Sequence, residues 1–194
     1  MGVINMLNTR YVIVRDKKSG QLIPQRNPEA CGNAWFVPTV KFVSDADGEL
    51  LALMDSFAPI KEAIVNEKFK DQLTGWTAGS IDSAAYIKLT EYKPNALKYE
   101  YSVAKEQIAV FSEIYYEKGW NAYVDGQLKP HFQTDYILRG MKLPSGKHEL
   151  EFKFEPTVYY TGEKIALAGS VLLLLLVAGG IYMEIKRQAI HDKA

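Results

Sequence analysis

From Ile165 to Met183 the chain reads IALAGSVLLLLLVAGGIYM, 19 residues without a charge. A helix of that length rises about 28 Å, close to the hydrocarbon thickness of a bilayer. A core helix of a soluble protein is seldom apolar on every face for so long. Charges close both ends, with Glu163 and Lys164 before the run and Glu184, Lys186 and Arg187 after it. Tyr159, Tyr160 and Tyr182 stand where interfacial aromatics are expected. The run predicts a transmembrane helix over residues 161–185 and a short basic tail over 186–194.

Charge counting leaves the orientation level: Lys186, Arg187 and Lys193 follow the run, while Lys147, Lys153 and Lys164 precede it. Only their density after the run favours a cytoplasmic tail. The opening MGVINMLNTRYVIV has no charged region followed by a long apolar one, so it does not read as a signal peptide. The expectation is a C-terminal piece of a longer protein whose earlier spanning helices deliver the body across the membrane. The rival is a tail-anchored protein with a cytoplasmic body.

Residues 83–155 alternate with period 2. In Lys147–Glu155, Leu150, Phe152 and Phe154 face one way and Glu149, Glu151, Lys153 and Glu155 the other, the pattern of a half-buried strand. Ala96–Ala104 turns Leu97, Tyr99, Tyr101 and Val103 inward, and Ala84–Tyr92 turns Ala85, Ile87 and Leu89 inward. Gln107–Tyr116, Trp120–Val124, Gln127–Phe132 and Tyr136–Leu143 are further strands, rich in branched and aromatic residues. Asp125-Gly126 suits a type I′ hairpin turn. Pro94-Asn95 and Pro144-Ser145-Gly146 turn the other pairs. About seven short strands at regular intervals predict an antiparallel β-sandwich over 76–160, each sheet with one wet and one dry face. Residues 1–75 predict a small mixed α/β module. It has strands at Arg10–Arg15, at Ala34–Val43 with Pro38 at an edge or bulge, and at Ala63–Asn66. A helix over Asp45–Ser56 has Asp47 as its N-cap, and residues 68–82 form a connection.

The chemistry on offer is sparse. The 23 basic and 23 acidic side chains cancel, so no basic surface points to nucleic acid. One cysteine, Cys31, excludes an internal disulfide and a cysteine-based zinc cluster. No phosphate-binding glycine loop, HExxH or nucleophile elbow occurs. His131, His148 and His191 lack metal-ligand spacing, and no cofactor or metal is implied. No catalytic residue is assigned. The segment Tyr115–Tyr123 is dense in rings, which serve a sandwich core or hold a sugar by CH–π contact. Trp120, Tyr136 and Arg139 are the candidates for an exposed contact surface.

The stretches FSEIYYEKGWNAYVDGQ, YILRGMKLPSGKHELEFKFEP and YYTGEKIALAGSVLLLLL resemble, in that order, the C-terminal end of YfhO-family bacterial membrane proteins, with a bacteroidete-like character. MLNTRYVIV and GNAWFVPTV resemble the last extracytoplasmic region of the same family. The resemblance implies a large polytopic protein with a fold similar to lipid-phosphosugar-dependent glycosyltransferases. Such proteins are associated with sugar transfer from a polyprenyl-phosphate donor to cell-envelope polymers. The catalytic acid of such proteins sits in early extracytoplasmic loops, and no residue of this chain matches that motif. The resemblance also implies a bacterial inner-membrane location, with the body outside the cytoplasm and the basic tail inside. The implied partners are the bilayer and the parent's other transmembrane helices, with a glycan or a polyprenyl-phosphate-linked sugar as candidate ligands. An accessory, acceptor-positioning part of a glycosylation protein is the first reading. A non-catalytic single-span protein whose sandwich binds carbohydrate or a partner protein is the second. A purely structural module is the third. The small residues Ala166, Ser170, Ala178, Gly179 and Gly180 suit close helix packing in lipid.

Overall fold

The computed structural model describes residues 1–54 and 56–191, and at 184, 185 and 187–191 it describes the helical backbone alone. The expected roles of Glu184, Arg187 and Lys193 lie outside the described side chains, as does residue 55 of the helix expected over 45–56. The elements run α1 (Gly2–Met6), β1 (Tyr11–Arg15), β2 (Leu22–Arg26), β3 (Ala34–Val37), β4 (Thr39–Val43), α2 (Ala46–Met54), β5 (Glu62–Asn66), β6 (Tyr86–Lys93) and β7 (Ala96–Val103). Then follow β8 (Gln107–Ile114), β9 (Trp120–Val124), β10 (Gln127–Lys129), β11 (Phe132–Thr134), β12 (Leu138–Leu143), β13 (Gly146–Phe154) and α3 (Thr157–His191). A 3-10 helix at Glu67–Leu73 occupies what the sequence presents as a connection.

Two units are present, Met1–Phe154 and the segment from Glu155 onward. The first is a β-sandwich. Its five-stranded sheet has the order β10-β9-β13-β7-β6, and its six-stranded sheet the order β3-β8-β12-β11-β5-β4. β1 and β2 form a separate hairpin. The pairing is antiparallel except for β4 with β5, which run parallel and are joined through α2, since parallel neighbours need a crossover. The mainly β class with a small helical part and one apolar C-terminal helix matches the sequence reading.

Prolines divide the strands between sheets. The single strand expected over Ala34–Val43 breaks at Pro38 into β3 and β4, the two opposite edges of the six-stranded sheet. The strand expected over Gln127–Phe132 breaks at Pro130 into β10, in one sheet, and β11, in the other. A residue without an N–H cannot continue a ladder on both sides, so each proline marks a change of partner. The break also dissolves the boundary expected after residue 75. β3 pairs with β8, and β5 joins β11 at Thr134 and Val65, so the first 75 residues supply strands to the sandwich itself.

The core has two compartments. Between the sheets lie Phe36, Leu97, Tyr99, Tyr101, Phe111, Met141, Leu150 and Phe152, all buried. Tyr99, Phe111 and Phe152 meet edge to face at centroid distances of 5.1, 6.2 and 5.0 Å, each pair contributing about 0.5–1.5 kcal/mol beyond its buried area. On the other side of the six-stranded sheet, Ile64, Ile108, Val110, Phe132 and Leu138 pack with Met6 of α1, Leu53 of α2 and Phe69 of the 3-10 helix. The six-stranded sheet is therefore dry on both faces in its middle. This corrects the expectation of one wet face per sheet, and it explains why Ile108-Ala109-Val110-Phe111 is a continuous apolar run.

Local chemistry agrees with the chain's turns and caps. Asp125 and Gly126 both have positive φ, 49° and 79°, as a type I′ turn requires. The Asp125 carboxylate accepts the Glu149 N–H at 3.0 Å and lies 2.5 Å from His148 Nδ1. His148 Nε2 lies 2.9 Å from the Ser145 carbonyl. Two acceptors at its two ring nitrogens hold the His148 pKa above the ordinary value. The helix α2 is capped by Asp45, whose Oδ1 accepts the Gly48 N–H at 2.7 Å. The expected cap, Asp47, lies instead inside the first turn, where its charge suits the helix dipole.

The second unit is α3, whose stretch Thr157–Met183 is long and apolar enough to cross a membrane, with none of its apolar window buried by protein. Leu172 to Leu176 are each about three-fifths exposed or more, which water does not tolerate and lipid does. Ser170 Oγ donates to the Ala166 carbonyl at 2.9 Å, so its hydroxyl needs no partner outside the helix. Helix α3 is longer at both ends than the span expected over 161–185.

One close approach is diagnostic. A Cβ at Gly140 of β12 would stand 2.4 Å from the buried Phe132 ring. Gly140→Ala lowers stability by about 1–3 kcal/mol through overpacking, read by chemical denaturation of the full chain.

Candidate functional site

The ladder between β12 and β8 jumps from Leu138 opposite Ile114 to Arg139 opposite Phe111. This bulge leaves Ser112 and Glu113 outside the regular pairing, and such irregularities re-aim side chains. Ser112 uses the freedom to hold the N-terminal segment: its Oγ lies 2.7 Å from the Met6 carbonyl and 2.8 Å from that of Gly32. Arg139 points between the sheets. Its guanidinium carbon stands 4.1 Å from the Trp120 ring centroid and 5.1 Å from that of Phe152. Its Nε donates to the Ile114 carbonyl at 3.1 Å, and its Nη1 is buried without a hydrogen-bond partner.

Arg139 is buried, so it is not the exposed contact expected from the sequence. A charge costs much to bury unless it is paired, and here two aromatic faces and the neighbouring Glu113 carboxylate compensate it. Burial lowers the Arg139 pKa while Glu113 opposes that shift. Burial likewise raises the Glu113 pKa, with Arg139 opposing. Arg139 shares its face of β12 with Met141 and Leu143, which pack between the sheets, and stands opposite the inward Phe111, so the strand's own alternation turns it inward. The Trp120 and Phe152 rings are what receive its guanidinium there.

Trp120 begins β9, opposite Phe154 of β13, with ring centroids 5.4 Å apart. Gly119 (φ +139°) brings the chain to this point, and a Cβ there would stand 2.5 Å from the Phe154 ring. The indole is half-buried, held between Phe154 and the Arg139 guanidinium. It lines an open cleft of about 420 Å³ with Glu117, Asn121, Lys129 and His131. His131 packs its half-buried ring against Tyr115 and Phe152 at 5.5 and 5.8 Å. Its Nε2 is buried without a partner. Burial, and then the Arg139 charge, push the His131 pKa down to about 4, so the ring is neutral at pH 7. The cleft thus combines an aromatic edge with a neutral imidazole, an amide, a carboxylate and an ammonium. That set can hydrogen-bond several hydroxyls at once. The sequence placed His131 at a strand end; only the fold brings it beside Trp120.

Tyr136, the third expected residue, stands apart. It is 39% exposed and lies in the turn between β11 and β12, where it and Asp135 have φ of +71° and +49°. Such backbone is strained for a bulky residue. Asp135 is buried. Its Oδ1 accepts the Ile64 N–H at 2.7 Å, while Oδ2 has no partner. Burial pushes its pKa up to about 7, and the carboxylates of Glu49 and Glu62 add to the rise. The turn borders a mainly apolar cavity of about 410 Å³ between α1 and α2. Cys31 is half-buried, and burial raises its thiol to about 11, which makes it unreactive at pH 7. Among the described residues no group of three or more His, Cys, Asp or Glu could hold a metal ion.

Two outcomes check these environments. Arg139→Lys lowers stability by on the order of 1–2 kcal/mol, because an ammonium cannot stack as a planar fork does, and the Trp120 emission moves to the red. For Asp135, the folded pKa lies above the ordinary 3.8. Its protonated form therefore favours the fold at low pH, and stability falls as pH rises from about 4 through about 7. Asp135→Asn keeps the acceptor for Ile64 and removes that fall, so the variant gains most over the parent at pH 8 in denaturation midpoints.

The family model described as "Bacterial membrane protein YfhO" matches residues 80–166, which hold the five-stranded sheet, β8, β11, β12 and the start of α3. A curated relative, "Uncharacterized protein YfhO" of Bacillus subtilis (strain 168), is 26% identical over 86 residues. That match covers 44% of this chain and 10% of the relative, so the chain spans a small part of that protein's length. No solved structure matches the chain.

Proposed function

Since residues 80–166 are a region of the YfhO family of bacterial membrane proteins, we propose that this chain is a non-catalytic, membrane-anchored sandwich that holds a glycan acceptor for cell-envelope glycosylation. In this reading the body lies outside the cytoplasm, α3 crosses the inner membrane, and the transfer of a lipid-linked sugar belongs to portions of a longer protein. The observation that carries it is the Trp120 cleft. There an indole clamped between Phe154 and Arg139 borders an open surface with Glu117, Asn121, Lys129 and neutral His131. A pyranose presents an apolar C–H face to the exposed edge of such a ring and hydroxyls to its polar neighbours. A clamped ring loses little freedom on binding, which favours affinity. A role in docking a partner protein would use the same ring differently, through apolar burial instead of hydroxyl recognition.

The test is oligosaccharide binding by the full chain in lipid nanodiscs, on an array of bacterial envelope glycans. Capture that falls at least tenfold in Trp120→Ala, with the circular dichroism retained, supports the reading. Capture of none, or capture indifferent to Trp120→Ala and His131→Ala, removes it. In the full-length parent, Trp120→Ala reduces acceptor modification and leaves donor turnover unchanged.

A further inference from the structure

The β1–β2 hairpin stands outside both principal sheets. Its register sets Tyr11 opposite Arg26, Ile13 opposite Pro24 and Arg15 opposite Leu22. Directly opposed residues share a face, so Tyr11, Ile13, Arg15, Leu22, Pro24 and Arg26 form one surface, and every one of the six is exposed. Tyr11, Ile13 and Leu22 are 63%, 71% and 65% exposed. A two-stranded ribbon with its apolar side chains in water is marginal on its own, yet this one is built firmly. Asn27 N–H donates to the Arg10 carbonyl at 2.8 Å, and its amide reaches Asn5 Oδ1 and the Thr9 carbonyl, each at 2.9 Å. At the tip the Asp16 carboxylate accepts from Ser19 N–H and hydroxyl at 2.7 and 2.6 Å, and Arg15 donates to the Gly20 carbonyl at 2.8 Å.

The charge on this arm is unlike that of the chain. Arg10, Arg15, Lys17, Lys18 and Arg26 stand against two carboxylates, Asp16 and Glu29, between residues 10 and 29. The whole chain is balanced. Both carboxylates are engaged locally, Asp16 by Ser19 and Glu29 by the Asn5 amide. The arm thus pairs exposed tyrosine and aliphatic side chains with an excess of cations. That combination is what an anionic lipid surface takes up, the apolar side chains entering the headgroup boundary and the cations meeting phosphates.

From this surface we infer that the β1–β2 hairpin docks on a bilayer containing anionic lipid. The occupant follows from charge complementarity and from the chain's own helix α3, whose stretch Thr157–Met183 is long and apolar enough to cross a membrane. The hairpin is then a second membrane attachment, peripheral and salt-sensitive, added to the permanent one through α3.

The experiment labels one hairpin residue in the full chain. Ile13→Cys, in a Cys31→Ala background, carries an environment-sensitive nitrobenzoxadiazole dye. The protein is placed in nanodiscs of phosphatidylcholine alone or with one-third phosphatidylglycerol, each doped with a nitroxide-bearing lipid. The inference expects blue-shifted emission and nitroxide quenching in the anionic discs. Quenching falls by at least half in neutral discs, in 0.5 M salt, or after Lys17→Glu with Lys18→Glu. Leu22→Cys reports the same from the opposite strand, so one disturbed position does not decide the result. Water-like emission without quenching in anionic discs overturns the inference. Quenching indifferent to lipid charge and to the two reversals also overturns it, because tethering alone then brings the dye near lipid. A shielded dye in discs without nitroxide effect, scaling with protein concentration, assigns the face to a second copy of the chain instead.

Discussion

The double burial of β8 governs the body. A central strand covered on one face by an opposing sheet and on the other by helices must be apolar along its whole length, and Ile108 to Phe111 meet that demand. Everything else is arranged around it. β7 and β13 alternate because only one of their faces is dry, and their inward rings fill the space above Phe111. α1, α2 and the 3-10 helix are short because they need only cover the other face. Two of the polar groups that remain buried, Arg139 and Asp135, lie on or next to β12, which neighbours β8 in the sheet.

Where β8 ends, its regularity fails, and the failure has chemical content. The bulge at Ser112 and Glu113 frees the Ser112 hydroxyl to hold the N-terminal segment, and beside it Arg139 lies in the space between the sheets. A guanidinium in that position would be intolerable without rings on which to lie. Trp120 and Phe152 supply them, and in return Arg139 fixes the indole. A surface cleft with a rigid aromatic wall is the consequence. The rigidity comes from packing inside the sandwich, while the polarity comes from Asn121 of β9, Lys129 of β10 and the neighbouring loop residues Glu117 and His131.

The parts of this architecture that were legible in the sequence are those set by local periodicity. The inward sets of β6, β7 and β13, the Asp125-Gly126 turn and the apolar helix follow from side-chain alternation, turn stereochemistry and length. Trp120 and Arg139 were visible as candidates, but their burial was not, because whether that face of β12 is covered depends on the opposing sheet, which a single strand does not record. His131 was read as a strand-end residue, since nothing in its neighbours along the chain announces Trp120. The exposed hairpin face was unreadable for the opposite reason. Alternation in Tyr11–Arg15 reports two faces, and only the fold shows that the Tyr11–Ile13–Arg15 face stays exposed while Val12 and Val14 are half-buried.

Sequence by itself determined where the long apolar helix lies and that the body is pleated. Those properties depend on residue types and short spacings, which exist before any folding. Tertiary structure alone decided that Pro38 and Pro130 send adjacent segments to different edges or sheets, that the first 75 residues complete the sandwich, and that Arg139 lies under Trp120. These are long-range pairings, chosen by which apolar faces can be covered together, and no local window of the chain holds that information.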